Sequence, residues 1–362
     1  MSAQYKAEII IRSDLREYGV AFGKLSDLPQ HQHQILVVDA AVRNHTAIVE
    51  NRFNGVIQID AVEINKSLEK CSELLLELST LGARKSTQIV AIGGGVVQDL
   101  ITFSASIYMR GLNWVFFPTT LMSIMDSCIG GKSSINLKGN KNILGNFYPP
   151  KLIVIDTEFI NSLSPSAISS GISEGMKIVF ARGENEFKSF KEAVQGWRKN
   201  SAIAQLERAI KLSLNAKKWF IEIDEFDQRE RKLLNFGHTF GHALEAATDF
   251  QVPHGIAVLY GMRAAIYEAG RDEICTELIN LISDELSYSG FLRKRFYLVE
   301  QKFKDAIARD KKNSHVDQVL VLPNEKGELE AVTRELSKRN IDSCWKSIIK
   351  ALDESGADYE IR

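Results

Sequence analysis

Residues 89–99 read IVAIGGGVVQD. A short apolar, largely β-branched run enters three glycines, and Asp99 follows. This predicts a buried strand, a tight turn, and a helix carrying Asp99 in its first turn. Glycines at such a turn let the backbone approach a phosphate or pyrophosphate closely, and the helix N-terminus favours negative charge. A strand-to-helix turn with no ligand would read the same way, and the spacing is not GxGxxG.

Similar runs flank it: AEIIIR (7–12), QILVVDAAV (34–42), GVIQID (55–60), WVFFPTT (114–120) and LIVID (152–156). Between the third and the glycine strand, Leu68, Cys71, Leu75 and Leu78 recur at helical spacing, with Gly82 placed to end the helix. Alternating β and α segments imply a parallel sheet covered by helices. Past LIVIDTEFINSL (152–163) the pattern changes. Ser164 and Pro165 form an N-cap and first-turn pair, and the following patterns are nearly all helical to about residue 310. The expected organisation is an α/β domain over 1–160 and a mainly helical domain over 161–362, with the chemistry at the cleft between them.

Hydrophobic residues make up 44%, charged ones 25%, and the net charge is −1. These are ordinary soluble values and argue against a nucleic-acid or membrane-surface protein, which would show basic excess. No apolar run is long enough to span a bilayer. The N-terminus lacks the pattern of a signal peptide. The four cysteines are far apart and form no CxxC, which fits free thiols in a reducing cytoplasm.

Several clusters invite chemistry. CIGGKSSIN (128–136) carries Lys132, and GNKNILGN (139–146) carries Lys141 and Asn142. Two Gly/Lys clusters in the same half strengthen an anion-binding reading. In ISEGMKIVF (172–180), Glu174 and Lys177 are neighbours on a helix; a surface ion pair of little energetic weight is the plain alternative. The stripe Ile203, Leu206, Ile210, Leu214 extends to Lys217, an inward lysine that should meet an anion or else snorkel. LLNFGHTFGHALEAATDFQVPHG (233–255) contains His238, His242 and His254. The first two share a helix face at i, i+4. Thr239 stands where a zincin helix needs Glu, so that class is disfavoured. Three histidines with Glu174 suit zinc or a similar divalent ion, and spacing leaves open which two histidines bind. QHQHQ (30–34) reads as a solvated loop.

Together these stretches resemble the 3-dehydroquinate synthase family of sugar-phosphate cyclases. The resemblance runs from about residue 34 to about 320. It rests on DAVEINKSLE, AIGGGVVQDL, YMRG, PTTLMSIMDSCIGGKSSIN, GNKNILGNFYPP, SEGMK, ERKLLNFGHTFGHALEA, PHG and DKKN in that order. It implies a Rossmann-like NAD-binding α/β domain and a helical metal-binding domain. By resemblance, Glu174, His238 and His254 hold one divalent ion, zinc or cobalt, and His242 contacts substrate and aids proton transfer. Asp39, Glu63, Lys66, the Gly94, Gly95, Val96, Val97, Gln98 and Asp99 turn, Thr119 and Thr120 match NAD contacts. Lys132 and Lys141 match positions between cofactor and substrate. Asp126, Asn142, Lys177, Lys217, Arg231 and Asn235 match substrate contacts, as does one lysine of DKKN, Lys311 ahead of Lys312. Arg110 matches a phosphate contact reaching the partner subunit of a homodimer.

The implied reaction consumes a small phosphorylated sugar or keto acid. NAD transiently oxidises a ring alcohol, phosphate is eliminated, the hydride returns, and ring opening with an intramolecular aldol step gives the carbocycle. The leaving phosphate can itself take the proton. In the dehydroquinate branch the product feeds the shikimate route to aromatic amino acids. Gln98 replaces a glycine of that branch's usual GGGVVGD, and Ile256 replaces the glutamate of HGE. SEGMKIVF and RER also depart from its pattern. These suggest divergence. The retained Lys217, Arg231, Asn235 and His242 favour a carboxylate-bearing substrate. The competing readings are cyclases of sedoheptulose 7-phosphate or glucose 6-phosphate, a metal-dependent polyol dehydrogenase, and a non-catalytic binding module.

Overall fold

The computed structural model describes residues 5–45, 48–138, 140–310 and 316–362. The chain forms two compact units, one of residues Met1–Leu163 with Ile221–Glu225, the other of Ser164–Phe220 with Phe226–Arg362.

Among the described residues the first unit has nine strands: β1 (Ile9–Ile11), β2 (Tyr18–Phe22), β3 (Gln34–Asp39), β4 (Gly55–Ile59), β5 (Gln88–Gly93), β6 (Asn113–Pro118), β7 (Ile135–Leu137), β8 (Asn140–Leu144) and β9 (Leu152–Ile155). Seven form one sheet in the order β1-β2-β9-β6-β5-β3-β4, parallel except for the β1–β2 pair. Leu36, Val38, Val90, Ile92, Val115, Phe117 and Val154 project from alternate positions of four neighbouring strands and meet Phe159 in one core. The intervening Ile35, Val37, Ile89, Ala91, Phe116 and Ile153 are equally buried, so the sheet is covered on both faces. Its helices are α1 (Leu68–Thr80) and α2 (Gly95–Ile107), the latter packed on β5 and β6.

Three local expectations are corrected. Asp99 lies in the second turn of α2, because the helix begins at Gly95. On α1 it is Leu74, with Cys71 and Leu78, that is buried, while Leu68 is exposed and Leu75 only partly buried. His33 in the QHQHQ loop is half-buried, its Nδ1 3.0 Å from the Thr87 hydroxyl. β2 and the β7–β8 hairpin did not show in the sequence pattern.

The second unit contains α3 (Pro165–Arg182), α4 (Glu184–Asn200), most of α5 (Ile203–Ile223), α6 (His238–Ala247), α7 (His254–Ala269), α8 (Thr276–Tyr288), α9 (Glu300–Ala308) and α10 (Lys338–Ser355). Ser164 caps α3 by accepting from Ala167 N, and Pro165 opens the first turn. Two small sheets were not anticipated. β10 (Phe296–Leu298) pairs in parallel with β13 (Tyr359–Ile361), and β11 (Asp317–Pro323) with β12 (Leu329–Glu335) antiparallel. All four cysteines are buried and free. Among the described residues no helix is long and apolar enough to cross a membrane.

Candidate metal and cofactor sites

In the second unit, α3 is buried without a break from Ser169 to Val179, so Glu174 and Lys177 lie in the interior, 2% and 3% exposed. They form a buried ion pair through Glu174 Oε2, which rules out the plain surface pair. The α6–α7 contact sets the other half of the site. A Cβ on Gly261 would lie 2.1 Å from Gly237 O, and one on Gly241 3.1 Å from Ala257 O. Only glycine lets the two helix backbones come this close. That approach brings His238 and His242 on α6 to His254, the first residue of α7.

Ring centroids of the three histidines are 5.2–5.5 Å apart, and their ligating nitrogens all lie within 4.8 Å of one another. Oε1 of Glu174 is 3.8 Å from His238 Nε2 and 3.4 Å from His254 Nε2. The opposite nitrogens are also engaged: His238 Nδ1 is 3.3 Å from Phe236 O, and His254 Nδ1 is 3.1 Å from Glu245 Oε2. Burial pushes the His254 imidazolium pKa down, but its hydrogen bonds to Glu174 and Glu245 outweigh that and raise it to about 10. His242 is exposed, while Glu174 is buried.

The 3-10 turn Glu230–Asn235 packs against α3, fastened by Phe236 stacking on Phe180 at 5.6 Å. It carries Arg231, which is buried, and Asn235, whose amide donates to Lys232 O. Lys217 on α5 is also buried, which excludes a head simply extended into solvent. Ile256, one of the residues that departs from the dehydroquinate pattern, is fully buried on α7.

In the first unit, candidate cofactor residues gather at the carboxyl ends of β3, β5 and β6. A Cβ on Gly93 would lie 2.5 Å from Val97 Cγ2 and 3.3 Å from Asp39 Cβ; one on Gly94 would lie 2.9 Å from Thr120 Cγ2. At Gly95, where α2 begins, the nearest atom is 4.0 Å away. The turn is thus tight on the protein side at its first two glycines and open at the third. Val96 and Val97 continue the first turn of α2, and Thr119 N donates to Gly93 O. Gln98 is buried, with its amide bonded twice to Ser127, at 2.6 and 2.7 Å.

Lys66 Nζ lies 3.2 Å from Asp99, 3.4 Å from Glu63 and 2.8 Å from Asn142 Oδ1. Burial raises Asp99 to about 7, against the pull of Lys66. Asn136 ties this group together, donating to Glu63 Oε1 and accepting from Asn142 N. Lys132 sits over the Phe147 ring at 5.9 Å, Lys141 lies exposed on β8, and Asp126 lies in the π-helical turn Ser123–Ser127. Arg110 is exposed on a turn where Met109 and Arg110 have φ of 47° and 63°. Lys85 Nζ donates to the carbonyls of Met109, Arg110 and Gly111 and so holds that turn. Lys311 lies outside the described residues.

Neither Glu245 nor Asn136 stands out in the sequence pattern as a site residue. Glu245 stands three residues after His242, but its partner is on another helix, so helical spacing could not reveal it.

The family profile described as 3-dehydroquinate synthase N-terminal matches residues 56–170, and 3-dehydroquinate synthase C-terminal matches residues 171–313. The chain is 38% identical over 307 residues to a 3-dehydroquinate synthase of Dictyoglomus thermophilum, covering 84% of this chain and 83% of that protein. Among solved structures it resembles a 2-deoxy-scyllo-inosose synthase complexed with carbaglucose-6-phosphate, NAD+ and Co2+ (TM-score 0.76, 21% identity, 96% of this chain and 99% of that one). It also resembles a 2-epi-5-epi-valiolone synthase from Streptomyces hygroscopicus with NAD+ and Zn2+ bound (TM-score 0.75, 22% identity, 92% and 97%). At these identities the structural likeness is one of fold.

Proposed function

This chain belongs to the 3-dehydroquinate synthase family, and on that premise we propose that it is an NAD- and divalent-metal-dependent cyclase. It converts 3-deoxy-arabino-heptulosonate 7-phosphate into 3-dehydroquinate and phosphate. The observation that carries this reading is the approach of the His238 and His254 Nε2 atoms to one oxygen of buried Glu174. Ligands about 2.0–2.1 Å from a tetrahedral ion stand roughly 3.4 Å apart, close to the spacing found here. Two imidazoles and a carboxylate suit Zn2+ or Co2+.

Residues 161–362 hold the ion and the substrate, and residues 1–160 hold NAD. The open Gly95 at the α2 N-terminus, with Gly93 and Gly94 packed beneath it, supports a pyrophosphate there. Bound NAD would supply a reversible hydride acceptor, and the ion held by Glu174, His238 and His254 would supply a Lewis acid. Lys177, Lys217 and Arg231 neutralise the substrate's phosphate and carboxylate; the planar guanidinium of Arg231 matches a carboxylate in bidentate fashion. Asn235 orients a ring hydroxyl. Exposed His242 takes the hydroxyl proton on an imidazole nitrogen. Arg110, exposed on the turn whose carbonyls Lys85 ties together, serves the phosphate site of a second subunit in a cytoplasmic homodimer. Four buried free thiols fit that reducing setting.

The test is incubation with NAD, Co2+ or Zn2+, and each of three phosphates: the heptulosonate 7-phosphate, sedoheptulose 7-phosphate and glucose 6-phosphate. Phosphate release with a carbocyclic product from the first alone is expected. Turnover of either other sugar instead moves the chain to a different cyclase, and net NADH build-up with a polyol sinks the reading.

A further inference from the structure

We propose that Glu245 is a positioning residue that sets His254 as a metal ligand; this rests on the reading of Glu174, His238 and His254 as the ligand set. An ionised carboxylate can only accept a hydrogen bond, so the 3.1 Å contact places a proton on His254 Nδ1. That leaves Nε2 as the ligating atom, and Nε2 is the atom facing Glu174. Glu245 projects from α6 while His254 opens α7, so the contact also ties together the two helices that carry the histidines.

The same device recurs in weaker form at His238. Its Nδ1 is 3.3 Å from the Phe236 carbonyl, and its Nε2 likewise faces Glu174 Oε1. Both rings are therefore held through Nδ1 with Nε2 turned inward, one by a charged acceptor and one by a neutral one. A carboxylate partner raises the donor strength of an imidazole and fixes its rotation, and losing such a partner generally weakens metal affinity about 10–100-fold. Glu245 makes His254 the stronger imidazole donor of the pair.

The experiment titrates Co2+ into chelator-stripped full-length chains of the parent, Glu245→Ala and Glu245→Gln, following the visible Co2+ absorption. Denaturant unfolding of each chain is recorded in parallel. The expected result is a loss of affinity of about 10–100-fold in Glu245→Ala and a smaller loss in Glu245→Gln, which keeps an acceptor for Nδ1. All chains should bind one ion at saturation. Equal affinity in all three chains overturns the proposal, as does a loss that merely follows the unfolded fraction or is as large in the glutamine variant. A parent that binds no Co2+ instead overturns the metal reading beneath it.

Discussion

Glu174 Oε1 lies 3.4 Å from His254 Nε2, although the two residues are eighty positions apart and on different helices. Glu174 Oε2 meanwhile pairs with Lys177. One buried carboxylate thus faces imidazole on one side and ammonium on the other, which frames the first prediction.

His254→Ala should lose tightly bound metal, whereas His242→Ala should retain it and lose turnover. Metal content after dialysis, measured beside the steady-state rate, separates the two. The reverse pattern would exchange the roles given to these histidines.

Gly261→Ala should destabilise the protein by about 1–3 kcal/mol, the usual range for overpacking, because its Cβ would meet Gly237 O at 2.1 Å. Metal affinity should fall with it as α6 and α7 separate. Gly95→Ala should behave oppositely. Its Cβ meets nothing closer than 4.0 Å, so stability holds or rises by up to about 1 kcal/mol. NAD affinity should nonetheless drop about tenfold or more, a penalty above about 1.4 kcal/mol. Calorimetric NAD binding and denaturant unfolding of both variants check this.

Gln98→Gly restores the glycine usual in the dehydroquinate branch, yet it should be harmful here. It removes two hydrogen bonds to Ser127 and puts glycine inside α2. Each bond contributes about 0.5–1.5 kcal/mol and the helical glycine costs about 1, so a loss of about 2–4 kcal/mol is expected in urea unfolding. An unchanged midpoint would show that the Gln98–Ser127 tie is not a stabilising one.

Asp99 makes stability depend on pH. Burial raises its folded pKa to about 7, while the unfolded chain ionises near 4. Between these values the folded state binds more protons than the unfolded state, so this group makes stability fall as pH rises. Below about 4 both states are protonated, and above about 7 both are ionised; the difference is then constant. Asp99→Asn should therefore gain stability relative to the parent from pH 4 to 7 and plateau beyond. Unfolding midpoints at pH 5 and pH 8 test the sign, and a gap that narrows with pH contradicts it.

Much of the fold was legible where strands are apolar on both faces. β3, β5 and β9 announce themselves by apolar, largely β-branched runs, and β6 by the apolar run Trp114–Phe117; β4 shows through Val56, Ile57 and Ile59 although Gln58 is exposed. β2 (YGVAF) has one β-branched residue beside Gly19 and Ala21, and β7–β8 is rich in Asn, Lys and Gly, so neither carries a strand signal. The helical stripe on α1 differs from its spacing at two positions: Leu68 is exposed, and Leu74 rather than Leu75 is buried, because Leu74, Leu75 and Leu76 are identical in kind and only packing chooses among them.

For the candidate site, the sequence by itself supplied the residue types and the family to which they belong. Helical spacing could pair His238 with His242, because both lie on one element. It could not see Glu174, His254 or Glu245 in the same place, since Glu174 lies on α3 and their proximity depends on how closely α3, α6 and α7 approach one another. Tertiary structure also decided that the Glu174–Lys177 pair is buried, that Gln98 turns to Ser127, and that the His238 and His254 imidazoles turn Nε2 toward Glu174. Periodicity reports one helix face at a time; convergence of groups from several helices is a property of their packing, and here the close glycine contacts of α7 with α6 at Gly261 and with α3 at Gly255 set it.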